Sequence, residues 1–121
     1  MGNTIIKKLA DAKSLATSFN SSVIPAGPFI GNIGINIETS GVTDNEGIFY
    51  VDHRIVSSQD SRIFSAWADI GISSNPTLSN KNLTTMISLS DIPVGELRIR
   101  FEAAGSSPDG TVTIWFSGRM F

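Results

Sequence analysis

No cysteine occurs in the 121 residues, there is a single histidine, and no apolar run approaches the length needed to cross a bilayer. The first absence excludes a disulfide framework, a thiolate nucleophile and a cysteine-ligated zinc, and leaves stability to packing. The second limits any metal site to one imidazole and gives a general base no alternative to His53. The third excludes a membrane-spanning helix, which needs about 18 consecutive apolar residues, so no membrane partner is expected. Lys7, Lys8 and Lys13 interrupt the N-terminal apolar pieces, so there is no signal-peptide core and the chain is expected to be made in a cytoplasm.

Charge is also scarce. Charged residues are 17% of the chain, against about 25% in an average globular protein, and Ser, Thr, Asn and Gly take their place. A surface of small uncharged polar groups costs less to desolvate than one covered in Lys and Glu, which suits a protein that packs against other proteins. The formal charge of −2 and the absence of any Lys/Arg run remove the electrostatic basis for sequence-independent nucleic-acid binding.

What is present is a hydrophobic period of two. It is clearest in the last quarter of the chain, where Leu97, Ile99 and Phe101 alternate with Arg98, Arg100 and Glu102, and Thr111–Ser117 alternates in the same way. The Ser107-Pro108-Asp109-Gly110 stretch between them has turn chemistry and predicts a terminal hairpin. Upstream, Ile33, Ile35 and Ile37 alternate with Gly34, Asn36 and Glu38. Phe49, Val51, His53 and Ile55 share a face opposite Tyr50, Asp52 and Arg54. Phe64, Ala66, Ala68, Ile70 and Ile72 oppose Ile63, Ser65, Trp67 and Asp69, and Leu83, Ile87 and Leu89 mark a further strand. Val23–Pro28, with two prolines, reads as an edge or corner. The polar connection 73–81 is of the kind that carries a chain from one sheet to another. About seven or eight strands with no helical pattern after residue 20 imply an all-β fold, a two-sheet antiparallel β-sandwich of jelly-roll-like form over residues 21–121.

Residues 1–20 read differently. Ile5, Leu9, Ala12 and Ala16 recur at three- and four-residue spacing, which fits either a short amphipathic helix capped by Asn3 or Thr4, or an extended N-terminal arm. Ile5, Ile6 and Leu9 either cover the open end of their own sandwich or reach a neighbouring subunit.

Little in the sequence resembles catalytic apparatus, and no enzyme activity or cofactor is expected. His53 shares its face with apolar residues while Asp52 points the other way, so no Ser-His-Asp arrangement follows from spacing. Asp44-Asn45-Glu46-Gly47 places oxygen ligands in a turn, yet lacks the alternate spacing and distant glutamate of a calcium loop. Trp67 and Trp115 fall opposite the main apolar stripe of their strands. There they are either covered by the fold or act as anchors for a protein partner or a sugar ring. Arg98 and Arg100, with Glu96 and Glu102, read as a cross-strand charge ladder. Met120 and Phe121 end the chain on large apolar groups, held by its own core or by a neighbour.

The polar-apolar arm followed by Val23-Ile24-Pro25-Ala26-Gly27, the short strands rich in Ser, Thr and Gly, and the closing Glu96–Phe101 and Gly110–Ile114 segments together resemble the small all-β head decoration, or cement, proteins of tailed bacteriophages. The resemblance covers residues 23–121 and lies in overall pattern, so no functional residue is carried over. It implies a virion protein that binds the major capsid protein or another virion protein, as a homo-oligomeric dimer or trimer. The expected contact residues are Ile5, Ile6, Leu9, Trp67, Trp115, Met120 and Phe121. The alternative is a carbohydrate-binding β-sandwich such as a phage tail or fibre receptor-binding component.

Overall fold

The structure, a computed structural model, describes residues 4–26, 29–57, 59–60, 62–90, 92 and 95–120, with backbone alone for 26, 29–31 and 120. Among these residues there is no helix and there are nine strands: β1 (Thr4–Ser14), β2 (Phe19–Asn20), β3 (Ile24–Ala26), β4 (Phe29–Ser40), β5 (Ile48–Arg54), β6 (Ala68–Asp69), β7 (Thr84–Leu89), β8 (Gly95–Glu102) and β9 (Thr111–Met120). They form two antiparallel sheets. The first has the order β1-β9-β4-β7; the second has the order β2-β8-β5-β6, with β3 also paired to β8. Since β2 and β3 lie in succession along β8, they act as one interrupted edge strand. The chain then alternates between sheets as an eight-stranded jelly roll does.

Alternation builds the core. Ile33, Ile35 and Ile37 of β4, Val112, Ile114 and Phe116 of β9, Leu97, Ile99 and Phe101 of β8, and Phe49 and Val51 of β5 are all buried between the sheets. A one-residue slip in any of these strands would turn its whole apolar set to solvent, so the pattern specifies the register. Phe101 sits between Phe49 and Phe19, with ring centroids 4.7 and 5.7 Å away. Its ring fills space that a side chain at Gly47 would need, since a Cβ there would lie 2.3 Å from the Phe101 ring.

The predicted terminal hairpin does not form. β8 pairs with β5, β9 pairs with β1 and β4, and residues 103–110 cross from one sheet to the other. Stacked sheets lie about 10 Å apart, a span that such a connection covers easily. Ser107–Gly110 lies in that crossing and not in a hairpin loop, with Gly110 at a φ of 97°.

Of the two alternatives for the N-terminal segment, the helix is excluded and the extended conformation holds, as strand β1. Ile5 and Leu9, four residues apart, share a face in either conformation, and pairing with β9 decides between them. Two bulges in β1, at Lys8/Ala10 and Ala10/Lys13, adjust its faces, and Leu9 is 3% exposed within the core. The strand expected over 63–72 is reduced to β6, and Ile63 and Phe64 are exposed. Residues 55–57 and 62–64 instead make a small projecting hairpin, through Ser57 N–H to Arg62 O at 2.8 Å and Phe64 N–H to Ile55 O at 2.8 Å.

The crossing loops are tied together by side chains. Asn45, fully buried, donates from Nδ2 to Leu15 O at 2.9 Å and Asp109 O at 3.1 Å, and its Oδ1 accepts the Gly47 N–H at 2.9 Å. Asp109 accepts the backbone N–H groups of Thr43 and Asp44 at 2.9 and 3.0 Å, and its other oxygen accepts the Thr43 hydroxyl. The Thr43 hydroxyl and these N–H groups hold the Asp109 carboxyl below its ordinary value of 3.8. With its folded pKa depressed, Asp109 contributes stability above the unfolded value, and that contribution is lost as pH falls through the folded one. Thermal melts taken on acidification below about pH 4 should therefore fall less steeply for Asp109→Asn than for the parent chain. Parallel curves would show that the carboxylate contributes nothing.

Candidate functional site

The two outer faces of the sandwich differ in what they leave available. On the β5–β8 sheet, register places Arg54 opposite Glu96, Asp52 opposite Arg98, and Tyr50 opposite Arg100. Asp52 is 2% exposed; it accepts from Arg98 Nε at 3.1 Å and from Arg100 Nε at 3.0 Å. Arg100 also meets Glu102 at 2.5 Å, and Arg54 meets Glu96 at 2.6 Å. The hydrogen bond to Asp52 raises the Arg100 pKa further, against the opposing effect of burial. The guanidinium carbons of Arg54 and Arg98 lie 4.5 and 4.3 Å from the Trp67 ring centroid, and that of Arg100 lies 4.3 Å from Tyr50. The expected charge ladder is thus present but runs through Asp52, which spacing alone did not pair. Trp67 is half-buried and stacked on two cations, which makes it a fastening for the chain after the projecting hairpin.

The outer face of the β1-β9-β4-β7 sheet is built otherwise. One row across it reads Lys8, Trp115, Asn36 and Met86 in direct register. The adjacent row reads Ile6, Ser117, Gly34 and Ser88, and the row on the other side carries Thr113, Glu38 and Thr84. Ile6 is 67% exposed, Met86 63% and Trp115 38%. Lys8 Nζ lies 4.7 Å from the Trp115 ring centroid and 3.4 Å from Asp11. Beside these rows lies an open depression of about 530 Å³ bordered by Asn32, Met86, Ser88, Ser117 and Arg119. Gly34 lies at the same depression, and a Cβ there would come 3.0 Å from Ser117 Oγ. Ile6, Trp115 and Met86 thus stand among Ser, Thr, Asn and Gly, and the charges that a partner covering this face would meet are Lys8, Glu38 and Arg119.

The structure separates the residues expected to make contacts. Ile6 and Trp115 meet on one outer face, Trp67 lies on the opposite one, Ile5 is half-buried, and Leu9 belongs to the core. The Met120 side chain and the whole of Phe121 lie outside what the structure describes. Met86 was missed, although its parity was legible: with Ile87 and Leu89 inward, Met86 must point out. Ile55, Ile63 and Phe64 are further exposed apolar groups that sequence reading placed inside or left unassigned.

Candidate chemistry is sparse. His53 is half-buried at the end of the inner face of β5, close enough to Gly95 that a Cβ there would lie 2.7 Å from Nε2. Asp44, in the turn considered for calcium, accepts the Ser107 N–H at 3.0 Å. Among the described residues no group of three or more His, Cys, Asp or Glu side chains is placed to hold a metal ion. No protein-family model matches the chain, and no curated protein and no solved structure matches it.

Proposed function

We propose that this chain is a non-enzymatic structural protein of a virion, a decoration or cement protein that adheres to the outer coat lattice of a tailed-phage head and strengthens it. The supporting observation is the inequality of the two outer faces. One has its arginines closed by ion pairs with carboxylates of the same sheet and by cation–aromatic stacks, while the other exposes Ile6, Trp115 and Met86 among Ser, Thr, Asn and Gly, with Lys8 and Glu38 in the same rows. Its partner in this reading is the major capsid protein. The mechanism is mass action: a protein that binds only the assembled lattice stabilises that state in proportion to affinity and occupancy.

The test is cosedimentation with undecorated tailed-phage heads. Saturable binding is expected, with Ile6→Ser and Trp115→Ser each weakening it by at least about tenfold and leaving the melting temperature nearly unchanged. No binding by the parent chain, or equal binding by both variants, would overturn the proposal. N-terminal truncation is not a clean test, because it removes Leu9 and an entire strand from the sandwich.

A second reading, carbohydrate binding, draws on the placement of Asn36 directly across from Trp115, an amide beside an exposed aromatic ring. Glycan-array binding that is abolished by Trp115→Ser, without binding to heads, would favour it.

A further inference from the structure

Of the edges of the two sheets, three are guarded against pairing with another chain. β1 carries two bulges and places Lys7 opposite the inward Phe116 and Lys13 opposite the inward Val112. Charges aimed inward on an edge strand block the approach of a further strand. The interrupted edge formed by β2 and β3 contains Pro25, and β6 has two residues, one of them Asp69. β7 has none of these devices. Thr84-Thr85-Met86-Ile87-Ser88-Leu89 carries no charge, proline or glycine, and it pairs with β4 without a register shift.

The hydrogen-bonding phase of β7 follows from its neighbour. The Thr39 N–H donates to Leu83 O at 2.9 Å, and the register continues from this pair without a break through Ile37 opposite Thr85 to Ile33 opposite Leu89. Backbone groups alternate in direction along a strand. Thr85, Ile87 and Leu89 therefore turn theirs towards β4, and Thr84, Met86 and Ser88 present theirs at the free edge. Alongside lies a groove of about 330 Å³ between Met86–Ser88 and the segment containing Ile72, Ser73, Ser74 and Pro76.

We propose that this edge is the self-association surface of the protein, and that its occupant is β7 of a second copy, paired antiparallel about a two-fold axis at Met86. The three free residues are symmetric about Met86. Met86 would face the partner's Met86, and Thr84 would face the partner's Ser88, with two hydrogen bonds for each facing pair and about six in all. With no charge on the strand, no like charges meet across the axis, and the Thr–Ser pairs are favourable cross-strand neighbours. An isologous contact of this kind closes on itself, so it yields a dimer and not a fibre. It also joins the two outer faces, running the row Trp115, Asn36, Met86 directly into its symmetry mate. The inference concerns the purified chain and does not depend on lattice binding.

The test is sedimentation velocity and native mass spectrometry of the full chain over a range of concentrations, with Met86→Pro and Met86→Thr. Proline at 86 removes an N–H that points away from β4, a position where an edge strand accepts it. It deletes both central hydrogen bonds of the pairing. A dimer is expected for the parent chain and for Met86→Thr, and a dissociation constant raised by at least about 100-fold for Met86→Pro with an unchanged circular dichroism spectrum. Hydrogen exchange on the parent chain provides a reading that needs no variant: the amides of Thr84, Met86 and Ser88 should become protected as the protein is concentrated. A monomer at all concentrations, a trimer, a dimer indifferent to Met86→Pro, or concentration-independent exchange at these three amides would overturn the proposal.

Discussion

Asn45→Ala is expected to destabilise the protein by about 3–5 kcal/mol, a loss that urea or thermal unfolding would register as a melting temperature lower by roughly 15 °C. The side chain is fully buried and satisfies three backbone groups at once, Leu15 O, Asp109 O and Gly47 N–H. Alanine leaves all three without that partner, and each orphaned buried group costs about 1–3 kcal/mol. The three belong to different parts of the chain: the end of β1, the crossing between β8 and β9, and the turn before β5. Backbone bonds join them as well, from Leu15 N–H to Gly110 O and from Glu46 N–H to Ala104 O, both at 2.9 Å, but only Asn45 reaches all three. Asn45→Asp separates the donors from the acceptor, since it keeps an oxygen for Gly47 and sets carboxylate oxygens against the two carbonyls. It should cost at least as much as alanine at neutral pH. A loss below about 1 kcal/mol for either variant would show that the loops hold one another by other means.

The second large effect is expected at Asp52. It is the buried anion between two arginines, so Asp52→Ala leaves Arg98 and Arg100 side by side with no counter-charge between them, and a loss of about 3–5 kcal/mol is expected. The consequence reaches beyond β5. Arg98 is one of the two cations stacked on Trp67, so its displacement should loosen the chain after the projecting hairpin. Trp67 fluorescence should then become more accessible to a neutral quencher, while Trp115, on the far face, is unaffected. Replacing the three charged groups together, as Asp52→Leu with Arg98→Met and Arg100→Met, should recover most of the stability, because well-packed apolar groups can substitute for a buried ion cluster. Failure of the triple variant to exceed Asp52→Ala would mean that the arginines are needed for more than balancing Asp52.

In the proposed role of a decoration protein, one face is kept for the lattice and the remaining surface needs to be inert. The ion-paired face gives that inertness at low net charge, because each arginine on it is committed to a carboxylate of the same sheet. The other face keeps its apolar groups in the open. The unguarded edge at β7 lies at the margin of that face, so a dimer formed there would present two such faces side by side to a repeating lattice.

The sequence by itself determined which side of β4, β8 and β9 is dry. The parity of Leu97, Ile99 and Phe101, of Val112, Ile114 and Phe116, and of Ile33, Ile35 and Ile37 needs only the period of two, and with it came the outward placement of Trp115. It also determined that the fold is a sandwich, because so many half-apolar strands have nowhere else to bury their faces. It could not determine which strand pairs with which. Ladder hydrogen bonds are made by backbone groups that nearly every residue carries, so β8 and β9, adjacent in sequence and joined by turn residues, read as a hairpin until the tertiary structure put them in different sheets. The same limit hid the functional contrast. That Trp67 is covered by Arg54 and Arg98, that Leu9 is core while Ile6 is surface, and that Met86 continues the row from Trp115 all depend on lateral register between strands far apart in sequence, which only the folded chain decides.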